Sequence, residues 1–325
     1  MIGLPSLETL EAASAFVHKV VPPTPQYEWP LLSRRLGARL FLKHENHTAI
    51  GSFKIRGALV FLDRLKREEP LVRAVVAATR GNYGQSVAFA CSRLGLEARI
   101  VVPLANSREK NRAMAAFGAK LIEAGEDFDA AYAYARALAE GEGLRLLPSY
   151  HPLLAEGVAS YGLELFRAAP DLDTLYVPIG LGSGISGMIF AREALGLKTE
   201  IVGVVAEKAP AYALSFKAGK PLSTESADTF ADGLACRIPD AQALSLIRRG
   251  AGRVLTVSES EIKRAMRILF SDTHNISEGA GAAAFAGAFQ ERQRIAGKRV
   301  AAVLSGGNID RGLFARILAE EADDA

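Results

Sequence analysis

Apolar positions along this chain follow two alternating patterns, and the alternation predicts the architecture. Short, nearly unbroken apolar runs at 73–78, 97–102, 119–123, 144–147, 174–178, 200–205, 253–257 and 299–304 read as strands buried on both faces. Between several of them lie longer stretches with apolar residues three and four apart, expected as helices at 84–95, 108–117, 128–141 and 152–168. Ahead of these, an Ala-rich acidic segment at 6–21 reads as a helix closed by Pro22-Pro23-Thr24-Pro25. A short helix at 29–37 then leads into a β-patterned run at 38–43, and a further helix continues from Lys54 to about position 67. The stretch 219–240 has no clear period. Such alternation predicts an α/β protein with two open, mostly parallel sheets covered by helices. Breaks near 44–51 and 148–152 suggest a smaller lobe, 48–148, inserted in a larger one made of 1–47 and 149–325. The cleft between them, at the carboxyl ends of strands, is where a ligand is expected.

Composition narrows the classes of function. At 325 residues, 49% hydrophobic and 23% charged, the chain can bury two ordinary cores. A net charge of +3 with no dense basic run argues against nucleic acid as a partner. The start, Met1 to Pro5, carries no basic region ahead of an apolar core, so no signal peptide is expected. The most apolar stretch, 279–289, is too short for a membrane span. Cys91 and Cys236 are far apart without a partner motif, which fits a reducing cytoplasm. His18, His44, His47, His151 and His274 show no metal-ligand spacing, and no metal site is expected from them.

Candidate chemistry begins at Gly51-Ser52-Phe53-Lys54-Ile55-Arg56-Gly57. A lysine between an aromatic and an aliphatic residue loses hydration, its pKa falls, and its amine becomes a usable nucleophile; the same pattern also suits a lysine whose stem lies along a helix face. The second stretch, Gly180-Leu181-Gly182-Ser183-Gly184-Ile185-Ser186-Gly187, follows a strand and opens a helix. Its glycines let backbone N–H groups converge on a phosphate. Read alone, Gly182, Gly184 and Gly187 also fit a dinucleotide fingerprint, with Glu207 about where a ribose-binding acid belongs. A nicotinamide enzyme, however, gives the Lys54 segment no role.

Three further segments bear on the choice: Thr79-Arg80-Gly81-Asn82-Tyr83-Gly84, Ala231-Asp232-Gly233-Leu234 and Leu304-Ser305-Gly306-Gly307-Asn308. With the two stretches above, and in this order, they resemble pyridoxal-phosphate enzymes of the tryptophan-synthase-β fold type, within them the serine/threonine dehydratase and serine racemase family. The resemblance runs from about Thr24 onward. It implies that Lys54 holds pyridoxal 5'-phosphate as a Schiff base and acts as the base at the substrate's α-carbon. Phe53 is expected against the pyridine ring, Asn82 at its phenolic oxygen, Ser305 at its nitrogen, and Gly180, Leu181, Gly182, Ser183 and Gly184 around the phosphate. A serine rather than an aspartate at the ring nitrogen favours elimination over a long-lived carbanion. Ser52, Thr79, Arg80, Gly81, Asn82 and Tyr83 are expected around the amino-acid substrate.

The implied activity is dehydration and deamination of a β-hydroxy α-amino acid such as threonine or serine, giving a 2-oxo acid and ammonia. Phenylserine, 3-hydroxyaspartate and a hydroxyectoine breakdown intermediate are alternative substrates. Arg80 stands where racemases carry the serine that returns a proton, so racemisation is not expected. Tyr83 stands where histidine is usual, and Leu181 and Ser183 replace glycines of the usual phosphate loop. At the family's divalent-cation site Glu207 and Ala211 match but Ala213 replaces an acid, so a strong metal site is not expected. Glu278 is expected to be positional, and Asp232 to fix a turn. The resemblance further implies a homodimer, and the last helix pattern ends so near Ala325 that feedback control by isoleucine through an appended domain is not expected.

Overall fold

In the computed structural model, which describes residues 3–320, ten strands and thirteen helices alternate along the chain. The strands are β1 (Gln26–Glu28), β2 (Arg39–His44), β3 (Ala74–Ala78), β4 (Glu97–Val102), β5 (Lys120–Glu123), β6 (Arg145–Leu146), β7 (Thr174–Pro178), β8 (Glu200–Ala206), β9 (Arg253–Val257) and β10 (Arg299–Leu304). The helices are α1 (Leu7–His18), α2 (Pro30–Leu36), α3 (Lys54–Glu68), α4 (Asn82–Leu94), α5 (Arg108–Ala116), α6 (Phe128–Glu142), α7 (Pro152–Ala168), α8 (Ser183–Ala194), α9 (Ala211–Ala218), α10 (Ala241–Gly250), α11 (Glu259–Thr273), α12 (Gly279–Gln290) and α13 (Arg311–Ala319). The periodicity located nine of the ten strands and α1 to α7, and left α9, α10, α11 and α13 without bounds. It missed β1, whose three residues are too few to show a period, and which makes the larger sheet mixed by pairing antiparallel to β2.

Two sheets result, ordered β1-β2-β10-β7-β8-β9 and β5-β4-β3-β6. Apart from β1, every pairing is parallel. Central strands are buried on both faces, as Val75, Val76 and Ala77 in β3 and Leu175, Tyr176 and Val177 in β7 illustrate, which is why their sequences do not alternate. Helices supply the cover: α6 lays Ala131, Ala135 and Ala139, four residues apart, against β3 and β4. Between Gly219 and Ala241 the backbone forms only a short 3-10 turn at Asp232–Leu234, matching the absence of a period there. No helix among the described residues is long and apolar enough to cross a membrane.

The strand order decides where the distant motifs meet. The last strand, β10, inserts between β2 and β7, with Leu304 beside His44 and Ala302 beside Tyr176. The segments that leave β2, β10 and β7 at their carboxyl ends therefore emerge side by side. These carry Lys54, Ser305 and the glycine loop.

Beneath them, α3 rests directly on α7. A Cβ at Gly57 would come within 2.6 Å of Leu154 O, and one at Gly157 would overlap Arg56 O. The same interface buries a group of charges. Arg56, with no exposed surface, donates from Nε to Glu45 Oε2 at 2.8 Å, and from Nη1 to Glu164 Oε1 at 2.6 Å and Ser160 Oγ at 3.0 Å. Lys43 Nζ donates to Glu164 Oε2 at 2.5 Å and Thr24 O at 2.9 Å, and Thr24 Oγ1 donates to Glu45 at 2.6 Å. Burial pulls the Lys43 ammonium below its usual range; burial pushes Glu164 up, but Arg56 and Lys43 outweigh it and hold the carboxyl low. Removing one partner strands the others without water. Arg56→Met is expected to cost about 3–5 kcal/mol in chemical denaturation at pH 7, and adding Glu45→Gln to recover part of that loss; a cost below about 1 kcal/mol would show the charges to be hydrated.

Candidate active site

Lys54 is the first residue of α3, reached from β2 through a tight loop. Gly51 there has φ +68°, and a Cβ on it would press on Asn308 Oδ1 at 2.7 Å. Ser52 forms a β-bridge with Gly306, Phe53 N donates to Ser305 O at 3.2 Å, and Gly307 N donates to Gly51 O at 3.0 Å. The lysine segment is thus sewn to the end of β10. The Lys54 ammonium lies 5.3 Å from the centre of the Phe53 ring. Burial lowers its pKa, with only Glu278 opposing.

Opposite stands the glycine loop. Gly182 has φ +101° and begins α8 with no side-chain cap, so the first N–H groups of the helix lack a side-chain acceptor. A Cβ at Gly180 would overlap Gly233 O, and one at Gly184 would sit 3.4 Å from the Phe53 ring. Leu181 replaces a glycine without strain, for among non-glycine residues described only His274 has positive φ. Ser183 is buried at the first position of α8. A second helix start faces the same space. α4 begins at Asn82 behind Gly81, again without a side-chain cap, while Thr79 Oγ1 accepts from Gly81 N at 3.0 Å and Gly84 N at 3.3 Å. By contrast α5 and α6 are capped by Ser107 and Asp127. N–H groups at the starts of two helices, those of Asn82 and Tyr83 in α4 and the first of α8, glycines that leave room above one of them, and an amine whose pKa burial lowers fit a group carrying phosphate and an aldehyde.

Lys54, Thr79, Arg80, Gly81, Asn82, Tyr83, Gly180 and Leu181 all line one narrow cleft of about 90 Å³. Beyond it opens a vestibule of about 710 Å³, which Arg80, Tyr150 and the 225–241 segment border. Asn82 is held from both sides: its Nδ2 donates to Glu278 Oε1 at 2.7 Å and its Oδ1 accepts from Asn308 Nδ2 at 2.7 Å. Tyr83 turns its hydroxyl away, donating to Pro148 O at 2.8 Å. Ser305 Oγ reaches Ala280 O at 3.4 Å, and Ser52 Oγ is buried without a hydrogen-bond partner. Phe53 packs edge-on to Tyr161 with ring centres 6.1 Å apart. Glu207, the acid of the dinucleotide pattern, is exposed at the end of β8.

Two residues gain weight over the sequence reading. Glu278 is buried at the cleft, where burial pushes its carboxyl up to about 6 against the pull of Lys110, Asn82 and Lys54. Lys110, which lines the cleft from α5, sits in an ordinary amphipathic helix and gave no signal. Because Glu278 binds its proton more tightly in the folded state, it lowers stability as pH rises from about 4.5 through about 6. Glu278→Gln is therefore expected to stabilise the cofactor-free protein by up to about 2 kcal/mol at pH 7.5. The gain should vanish near pH 4, as thermal melts across pH will show; a pH-independent difference would refute the assignment.

Comparison with known proteins gives a consistent picture. The family described as pyridoxal-phosphate dependent enzyme matches residues 17–306. The L-threonine ammonia-lyase of Thermotoga maritima is 34% identical over 314 residues, covering 96% of this chain and 78% of that protein. The L-threo-3-hydroxyaspartate ammonia-lyase of Saccharomyces cerevisiae is 31% identical over 312 residues, covering 96% and 95%. Among solved structures, the processed form of threonine deaminase isoform 2 from Solanum lycopersicum superposes with a TM-score of 0.89 at 30% identity, covering 97% of this chain and 89% of that one.

Proposed function

The chain belongs to the pyridoxal-phosphate dependent enzyme family, and we propose that it is a lyase that dehydrates and deaminates a β-hydroxy α-amino acid of the threonine or serine type. The products are a 2-oxo acid and ammonia. One observation carries the reading: a desolvated amine, Lys54, the start of α4, and Gly180-Leu181 of the loop that leads into α8 border a single cleft.

When bound, the cofactor supplies an aldehyde for the lysine and a ring that draws electrons from the substrate's α-carbon. Gly180, Leu181, Gly182, Ser183 and Gly184 offer main-chain donors to its phosphate, reinforced by the dipole of α8. Phe53 would flank the ring, Ser305 would offer a hydroxyl that cannot hold the ring nitrogen charged, and Asn82 has a second amide N–H beyond the one given to Glu278. The first N–H groups of α4, with Thr79 and the unpartnered Ser52 hydroxyl, receive the substrate carboxylate. Lys54, its pKa lowered by burial, takes the α-proton, and the β-hydroxyl gains a proton from solvent and leaves as water. Arg80 offers no neutral hydroxyl to return a proton from the other face, which favours elimination over racemisation. The buried free thiols of Cys91 and Cys236 support a reducing compartment such as the cytoplasm.

Purified protein is expected to carry a visible absorption band from the lysine-bound cofactor. Lys54→Ala should abolish that band and lower 2-oxo acid release by about 10³-fold or more. The assay uses L-threonine, L-serine, phenylserine and 3-hydroxyaspartate; release from none of them by the coloured protein would overturn the reaction proposed.

A further inference from the structure

Where Arg80 points is settled by the far side of the cleft. Its Nη1 lies 3.5 Å from Asp232 Oδ1, while Lys110 Nζ donates to the other oxygen of the same carboxylate at 2.7 Å. Two cations thus share one acid. Burial pulls Lys110 down, but Asp232, aided by Glu278, lifts it above its ordinary range, so the ammonium stays charged. The two contacts differ in quality. Lys110, only 12% exposed, holds a short charge-assisted bond, and its stem lies over Gly81, where a Cβ would meet Lys110 Cδ at 2.8 Å. Arg80, 40% exposed, meets Asp232 at a distance too long for the bidentate geometry that a guanidinium prefers.

The place matters as much as the charge. Arg80 borders both the narrow cleft that contains Lys54 and the outer vestibule, so its guanidinium stands at their junction. It precedes the start of α4, whose own N–H groups serve an α-carboxylate. The vestibule is the larger of the two spaces, and Leu181, Ser149 and Phe128 border both along with Arg80. Of the acids that border the vestibule, Asp127 caps α6, Asp240 caps α10 and Asp129 pairs with Arg237, while Glu225 and Asp228 lie on its exposed rim. Lys110 also feels Glu278 and Asp310, whereas among the described residues the one acid that Arg80 pairs with, at 3.5 Å, is Asp232, whose other oxygen Lys110 holds.

We propose that Arg80, backed by Lys110, is a specificity-determining residue that selects a β-hydroxy amino acid whose side chain ends in its own carboxylate. This inference rests on the lyase reading for its substrate class. The second carboxylate takes the guanidinium fork from Asp232, and Asp232 keeps Lys110. In the absence of such a substrate, Asp232 shields both cations and keeps them ordered. 3-Hydroxyaspartate is the simplest molecule of this class.

Two measurements on the cofactor-loaded enzyme test it. In the first, kcat/KM is compared for 3-hydroxyaspartate and L-threonine. The wild type is expected to favour the dicarboxylic substrate by about 100-fold, and Arg80→Ala to collapse that ratio about 100-fold, with Arg80→Lys between them. Equal losses on both substrates in Arg80→Ala, or no preference in the wild type, would overturn the proposal. In the second, calorimetry measures the binding of succinate, which has two carboxylates but nothing to eliminate. Arg80→Ala should weaken succinate at least tenfold, and Asp232→Asn, by releasing Arg80 from its internal acid, should tighten it severalfold. A merely structural Arg80 predicts no such gain, and succinate binding indifferent to both changes would refute the selection. Arg80-dependent succinate binding without turnover of any hydroxy amino acid would sustain the anion site and refute the lyase reading alone.

Discussion

The structure depends on a constraint of pairing: β10, the last strand of the chain, lies between β2 and β7. Parallel register leaves no choice about which ends of these strands coincide, because every residue of β10 has a partner on β2 and Val300, Ala301 and Ala302 have partners on β7 as well. Three loops from widely separated parts of the sequence must then leave the sheet together. Hydrogen bonds between the Lys54 segment and the end of β10 add local precision, but adjacency comes first from strand order. The strand ends of an open parallel sheet are also where helix N-termini point, so a buried amine and a set of anion donors arise in one place from topology.

Burial then sets the chemistry of what topology has gathered. The same desolvation that frees the Lys54 amine for nucleophilic work raises the Glu278 carboxyl toward neutrality. A few ångströms of backbone away, Arg56, Lys43, Glu45 and Glu164 are buried yet remain in charge register, because each has a partner. The difference is in pairing. Charges that hold the fold are matched to one another, whereas those facing the cleft are left incompletely matched.

Much of this was legible in the sequence, for identifiable reasons. Strands buried on both faces advertise themselves as apolar runs, and 97–102, 174–178, 253–257 and 299–304 match the observed β4, β7, β9 and β10. The glycine loop was readable because positive φ at Gly182 and close approach at Gly180 leave few alternatives to glycine. Lys54 was readable from its neighbours. Lys110 was not, since its role arises from α5 lying across Gly81, a tertiary fact without a local pattern. Asp232 looked like a turn residue and does occupy a 3-10 turn, but its side chain joins Arg80 and Lys110 from other elements. The Tyr83 hydroxyl, turned to Pro148 O, likewise has a partner sixty-five positions away that no spacing announces.

The glycine contacts between α3 and α7 bear on how such a molecule moves. Main chain touches main chain at Gly57 and Gly157, with no side chains between them that repack as the helices shift. The neighbouring contact of α3 with α4 belongs instead to a cluster of side chains that includes Leu59, Leu62 and Val87. The lysine at the head of α3 thus rests on a seam where backbone meets backbone, and an added methyl at Gly57 or Gly157 would be felt at the reactive amine.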